Sequence, residues 1–231
     1  MAKRFPAIYS IGTFLRHTEA GDYSKFYYTT PLYEGKKLSD YISGDSLIPS
    51  SLTANIMLQL IFEIKKIHKL GYIHLGISPE NIIIDHNVEK KTLNVQLINW
   101  NHLVQNGTTI QGKCIGDEAF MDPEMLHAFA DAAPFTLQPS TDLSSFRKTC
   151  EFMIDHTNFT TADTRLKTEM RLLCYRINKR IETRIDLQEI IAHISVIFGY
   201  GIEKMPISKR KHNSLLPKKF DKVIKLKVLP S

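Results

Sequence analysis

Cysteine is scarce. Cys114, Cys150 and Cys174 are the only three among 231 residues, and no two stand at CxxC spacing. That removes a paired-thiol motif from consideration and fits reduced, buried thiols in a reducing, intracellular setting. Long apolar runs are also missing. The most apolar stretch, 190–200, is interrupted by His193 and falls short of the ~18 residues that a membrane span requires. The first ten residues are basic but lack an apolar core, so they do not read as a secretory signal. No segment repeats. These absences point to a soluble protein of the cytoplasm or nucleus with no transmembrane segment.

What is present fits a folded domain. The hydrophobic content of 43% suits a protein that buries a real core. A chain of this length can bury about 70% of its unfolded surface without a disulfide staple. Charge is unevenly placed. Residues 204–231 hold nine Lys/Arg and one acid, a net of +8, against +6 for the whole chain, so residues 1–203 are net −2. The basic character belongs to the tail.

The pattern along the chain mixes strands and helices. Residues 7–15 and 23–32 are rich in Ile, Phe, Tyr and Thr around a polar turn at 16–22, which predicts a β-hairpin. Ser39 and Asp40 are candidate caps of a short helix ending before Gly44. A long amphipathic helix follows over 52–70. Ile56, Met57, Leu60, Ile61, Ile64 and Ile67 keep the 3.6 period, and Gly71 closes it. Short apolar segments at 72–74, 81–84 and 95–100 are bounded by turn residues and read as strands. Residues 101–139 read as mostly irregular. Helical periodicity returns at 143–155, 165–181 and 187–198. The expected class is α+β.

Five segments, in order, resemble the protein-kinase family. His74-Leu75-Gly76-Ile77-Ser78-Pro79-Glu80-Asn81 is similar to the catalytic loop H-R-D-x-x-x-x-N. Val95-Gln96-Leu97-Ile98 leads into Asn99-Trp100-Asn101, where the family has D-F-G after a strand. Gly116 through Phe120-Met121-Asp122-Pro123-Glu124 resembles the end of the activation segment. Thr141-Asp142-Leu143 resembles the start of the next large helix, and Arg184 stands where the family has a late arginine. The resemblance covers about 32–198 and implies a kinase-like fold, mainly the helical C-terminal lobe. Residues 1–31 would be a reduced N-terminal β portion, 32–203 the lobe and 204–231 a basic tail.

The resemblance implies structural roles for the residues retained. The counterpart of Asp142 accepts hydrogen bonds from catalytic-loop amides, and a buried carboxylate needs such partners. Glu124 and Arg184 would form a bidentate ion pair that fixes the activation segment to the lobe. His74 would prop the catalytic loop from inside.

The chemistry is mostly replaced. Phosphoryl transfer needs a loop carboxylate, two metal ligands and a lysine on the phosphates. The carboxylate position is Gly76, its arginine neighbour is Leu75, and the loop lysine is Ser78. The D-F-G aspartate is Asn99, a poorer ligand for a hard cation than a carboxylate. Asn81 remains of the metal pair, and Asp117 replaces the activation-segment threonine. Neither a Gly-rich loop nor a V-A-I-K lysine is seen, and nothing places Lys3 or Lys25 over a phosphate. Losing a positioned general base alone removes about 10²–10⁴ of rate.

The expected function is therefore a pseudokinase, a catalytically inactive module that binds a protein partner such as a true kinase or its substrate. Truncated kinase mimics of viruses and intracellular pathogens act in this way. No cofactor is expected, and ATP–magnesium affinity is at most weak. One alternative is an atypical kinase-fold transferase, with Glu80, Asn81, Asp85 and Asn99 as its polar set, or a fragment of a longer kinase-like protein. Another is a nucleic-acid or membrane-surface binder acting through the tail. Lys209-Arg210-Lys211-His212 is a short basic cluster of nuclear-localisation type.

Overall fold

The computed structural model describes residues 10–18, 21–29, 33–43, 47–177, 186–199 and 203–206. The chain divides into two compact units. One comprises Met1–Leu32 with Lys209–Ser231, the other Tyr33–Ser208. In the first, β1 (Ser10–Thr18) and β2 (Gly21–Thr29) pair antiparallel, from Ser10 opposite Thr29 to Thr18 opposite Gly21. The connection is two residues long. The turn is thus shorter than the polar run at 16–22, because Arg16, His17 and Asp22 join the ladder.

The second unit combines short strands with helices. Strand β3 (Lys36–Lys37) leads into α1 (Leu38–Ile42). Ser39 and Asp40 lie inside this helix rather than capping it, and Lys37 takes the N-cap position without a side-chain bond. After β4 (Ile48–Pro49) comes α2 (Ser50–Lys69), which buries Leu52, Ile56, Leu60, Ile64 and Ile67. Its stop lies at Gly71, whose φ of +84° suits a residue without a side chain. There the amides of Leu70 and Gly71 bond back to the carbonyls of Ile67 and His68.

Next come β5 (Tyr72–Ile73), β6 (Ile82–Asn87) and β7 (Thr92–Leu97). The sheet order is β3-β6-β7, with Ile82 opposite Leu97. Residues 101–139 are less irregular than their composition implies. They hold β8 (Val104–Gln105), β9 (Thr109–Ile110), α3 (Pro123–Ala130) and β10 (Phe135–Thr136). α3 starts where Asp122 accepts from the amide of Glu124 at 2.9 Å with Pro123 at the first helical position, a strong local start signal.

The buried helix α4 (Pro139–Asp155) begins four residues before its apolar periodicity, again at a proline, with Thr141 Oγ1 accepting from the amide of Gln138. β11 (Thr157–Asn158) pairs parallel to β4. α5 (Thr164–Ile177) and α6 (Leu187–Phe198) complete this unit. The expected extension of α5 over 178–181 lies outside the described residues. α6 matches its predicted span, and the Asp186 carboxylate caps it on the amides of Gln188 and Glu189.

The main core gathers α2, β6, β7, α4, α5 and α6 around Ile64, Val95, Phe146, Leu173 and Ile194, and a smaller cluster joins Ile73, Leu75, Met121, Met125 and Leu137. All three cysteines are free thiols, and burial pushes that of Cys174 up to about 12. No helix among the described residues is long and apolar enough to cross a membrane. Phe146 is fully buried, so Phe146→Ala is expected to cost about 3–5 kcal/mol. Phe62→Ala, on the exposed side of α2, should stay within about 0.5 kcal/mol. Urea denaturation of the two variants measures both.

Candidate functional site

The site is built around one carboxylate. Asp142, in the first turn of α4, has no solvent exposure. A charge so placed must be met by donors. Its Oδ2 accepts from the amide of His74 at 2.8 Å and its Oδ1 from the amide of Leu75 at 2.9 Å, while His68 Nε2 on α2 lies 2.9 Å from Oδ2. Through these contacts α4 holds the loop 74–81 where it leaves β5. The first turn of a helix also favours negative charge.

The loop is bent tightly at this point. Leu75 has φ +59°, unusual for a branched apolar residue, and such backbone costs on the order of 1–3 kcal/mol unless its surroundings enforce it. Those surroundings are the Asp142 carboxylate on one side and Gly116 on the other. Gly116 has φ +104°, and any side chain there would run into the Leu75 carbonyl.

His74 lies wholly inside. Its Nδ1 accepts from the amide of Gly76 at 3.2 Å, and its ring meets Trp100 edge-on at 5.2 Å. Burial pushes its pKa down to about 4, against the opposing pull of the Asp142 charge. The imidazole is therefore neutral at physiological pH.

Three asparagines form a chain of amides beside it. Asn81, at the end of the 3₁₀ turn Pro79–Asn81, donates from Nδ2 to the Gly76 carbonyl at 2.8 Å. Its Oδ1 accepts from Asn99 Nδ2 at 3.2 Å, and Asn99 Oδ1 accepts from Asn101 Nδ2 at 3.0 Å. Asn99 sits just after β7 with φ +65° and ψ 64°, a left-handed conformation that asparagine tolerates better than most residues. A β-carbon at Gly76 would stand 3.4 Å from Asn81 Nδ2 and 3.4 Å from His74 Nδ1, so a small side chain fits there.

The other named residues lie apart from this chain. Glu80 is exposed and pairs with Lys37 at 2.9 Å. Asp85 lies on β6 four residues past Asn81, opposite Asn94, roughly 13 Å along the chain. Of the four polar residues considered for a transferase, only Asn81 and Asn99 meet. Ser78 is buried. Asp117 caps the 3₁₀ turn Glu118–Phe120 by accepting from the amide of Ala119 at 3.1 Å. Glu124 is half-buried in the first turn of α3. Arg184 lies outside the described residues, and so does the expected pair between them.

Sequence reasoning missed His68, whose role needs the contact between α2 and α4 across 74 positions. It also missed Asn101, although the Asn-Trp-Asn spacing carried a signal. Asn81 and Asn99 are the residues the resemblance offers to a magnesium–nucleotide complex. They fit a hard divalent cation poorly, because both are neutral amides and each oxygen already accepts a hydrogen bond. Among the described residues no three His, Cys, Asp or Glu side chains are placed to hold a metal ion.

The buried imidazole sets a pH dependence. Its folded pKa of about 4 lies below the unfolded value near 6.5, so the unfolded chain binds the proton first. The stability from neutral His74 is present above pH 6.5 and declines as pH falls toward 4, by about 3 kcal/mol. Urea midpoints between pH 7 and 4 should show this loss, and His74→Asn should flatten that part of the curve.

No family model matches the chain. Several curated protein kinases resemble it at a distance. It is 24% identical to calcium-dependent protein kinase 5 of Plasmodium berghei over 230 residues, which covers 90% of this chain and 40% of that protein. It is 24% identical to the serine/threonine-protein kinase mrck-1 of Caenorhabditis elegans over 103 residues, or 39% of this chain and 6% of that protein. Over 78 residues it is 36% identical to the serine/threonine-protein kinase ArnS of Sulfolobus acidocaldarius, or 30% of this chain and 12% of that protein. The chain thus spans 40% or less of the length of these relatives. Together these distant likenesses support a protein-kinase-like superfamily for the chain.

Proposed function

We propose that this chain is a kinase-like module that does not transfer phosphate and acts by binding a protein partner. The observation that carries the reading is the closed amide chain Asn101–Asn99–Asn81 ending on the Gly76 carbonyl. Where phosphoryl transfer calls for carboxylates, this chain has a glycine and amides bonded to one another. Gly76 has no group that accepts a proton.

The features that shape the loop favour the same reading. The Asp142 contacts, the buried His74 and the close approach of Gly116 fix backbone and carry no reacting group. Partner binding is supported by Leu172 and Tyr175, a helical turn apart on α5 and 44% and 67% exposed. Apolar side chains left together on a surface often mark an interaction site.

The test is a radiolabelled-ATP assay on generic acceptor proteins together with a thermal-shift titration. Neither the native protein nor Gly76→Asp should transfer label, because catalysis of this class depends on several parts acting as a unit. ATP with Mg²⁺ should raise Tm by less than about 2–4 °C, the shift that ~1 kcal/mol of ligand stabilisation gives a domain of this size. Label transfer by the native protein would overturn the proposal. Transfer by Gly76→Asp alone would show that the rest of the machinery is in place.

A further inference from the structure

Past α6 the chain returns to the lobe. Residues 203–206 have no regular secondary structure of their own, yet they are held at three points. Asn55 Nδ2 on α2 donates to the Glu203 carbonyl at 3.0 Å, and Asn55 Oδ1 accepts from the amide of Met205 at 2.8 Å. The Pro206 carbonyl accepts from the amide of Leu93 on β7 at 3.2 Å. Met205 packs against the main core, whereas Glu203, Lys204 and Pro206 are exposed.

Asn55 is suited to this contact. One carboxamide supplies both a donor and an acceptor, so it satisfies the carbonyl of one residue and the amide of the residue two places on. It therefore grips the main chain whatever the side chains are. It is 1% exposed and is itself steadied by a 2.9 Å bond to the Ser51 carbonyl.

The same segment finishes a sheet edge. β7 is the last strand in the order β3-β6-β7, and its outer side carries backbone groups that need partners. Gln59 covers the Leu93 carbonyl and the Val95 amide, each at 3.1 Å. Pro206 covers the remaining Leu93 amide. One part of the edge is thus closed from within the lobe and the other by the returning chain.

We propose that residues 203–206 are a detachable strap, clamped by Asn55, that closes the edge of β7. The strap is held by three hydrogen bonds, the packing of Met205 and the Lys204 ammonium 5.4 Å from the Phe198 ring centre, while the structure beneath has a full core. It therefore opens in a local fluctuation well below global unfolding. Opening exposes the Leu93 amide.

Amide hydrogen exchange of the full chain, read residue by residue, tests this. In Asn55→Ala the Leu93 amide should exchange faster by roughly tenfold or more, as two hydrogen bonds to the strap are removed. Val95, held by Gln59 on the same edge, should keep its protection. Met205→Ala, which loosens the strap from its other side and leaves Asn55 in place, should give the same contrast. Equal acceleration of Leu93 and Val95 in Met205→Ala would mean that the edge opens as one body and would overturn the proposal. An unchanged Leu93 amide in that variant would overturn it as well.

Discussion

The unit Tyr33–Ser208 depends on a carboxylate with no access to water. Asp142 projects from α4 into the bend that follows β5 and accepts from two consecutive amides there, with His68 closing on it from α2. Each bond to a charged acceptor contributes about 1.5–3 kcal/mol, and the left-handed turn at Leu75 needs that support. α2, α4 and the 74–81 loop are therefore fixed by one group. Gly116 then packs its backbone on the Leu75 carbonyl, which brings the segment leading to α3 against the same bend.

The groups that set the loop's shape are bonded, and Gly76, Ser78, Asn81 and Asn99 bring no carboxylate to it. The three asparagines bond to one another and to the Gly76 carbonyl, so they stiffen the junction between the loop and β7. The relatives named above are kinases of which this chain resembles a part.

Much of the fold was legible because it is written locally. The apolar periods of α2, with glycine at its end, and of α6 are signals within one element, whereas the apolar segments 81–84 and 95–100 mark only part of β6 and β7, which run over Ile82–Asn87 and Thr92–Leu97. α3 escaped notice because it is only eight residues long, about two turns, although Asp122 and Pro123 mark its start. Ser39 and Asp40 misled because they are good caps in general, yet the chain entered α1 two residues earlier to bury Leu38 and Ile42. The loop 74–81 stood out through its resemblance. His68 and Asn55 did not, since their partners lie 74 and about 150 positions away and side-chain pattern carries no trace of such contacts.

The central claim is that Asp142 and its partners hold the scaffold independently of Gly76. Equilibrium urea denaturation of Asp142→Ala beside Gly76→Ala tests it most directly. Asp142→Ala should lose about 3–5 kcal/mol, because two buried amides and His68 lose their partner. Gly76→Ala should stay within about 1 kcal/mol, since a β-carbon there meets its neighbours at ordinary contact distance. Equal losses in the two variants, or a loss below about 1 kcal/mol for Asp142→Ala, would contradict the account.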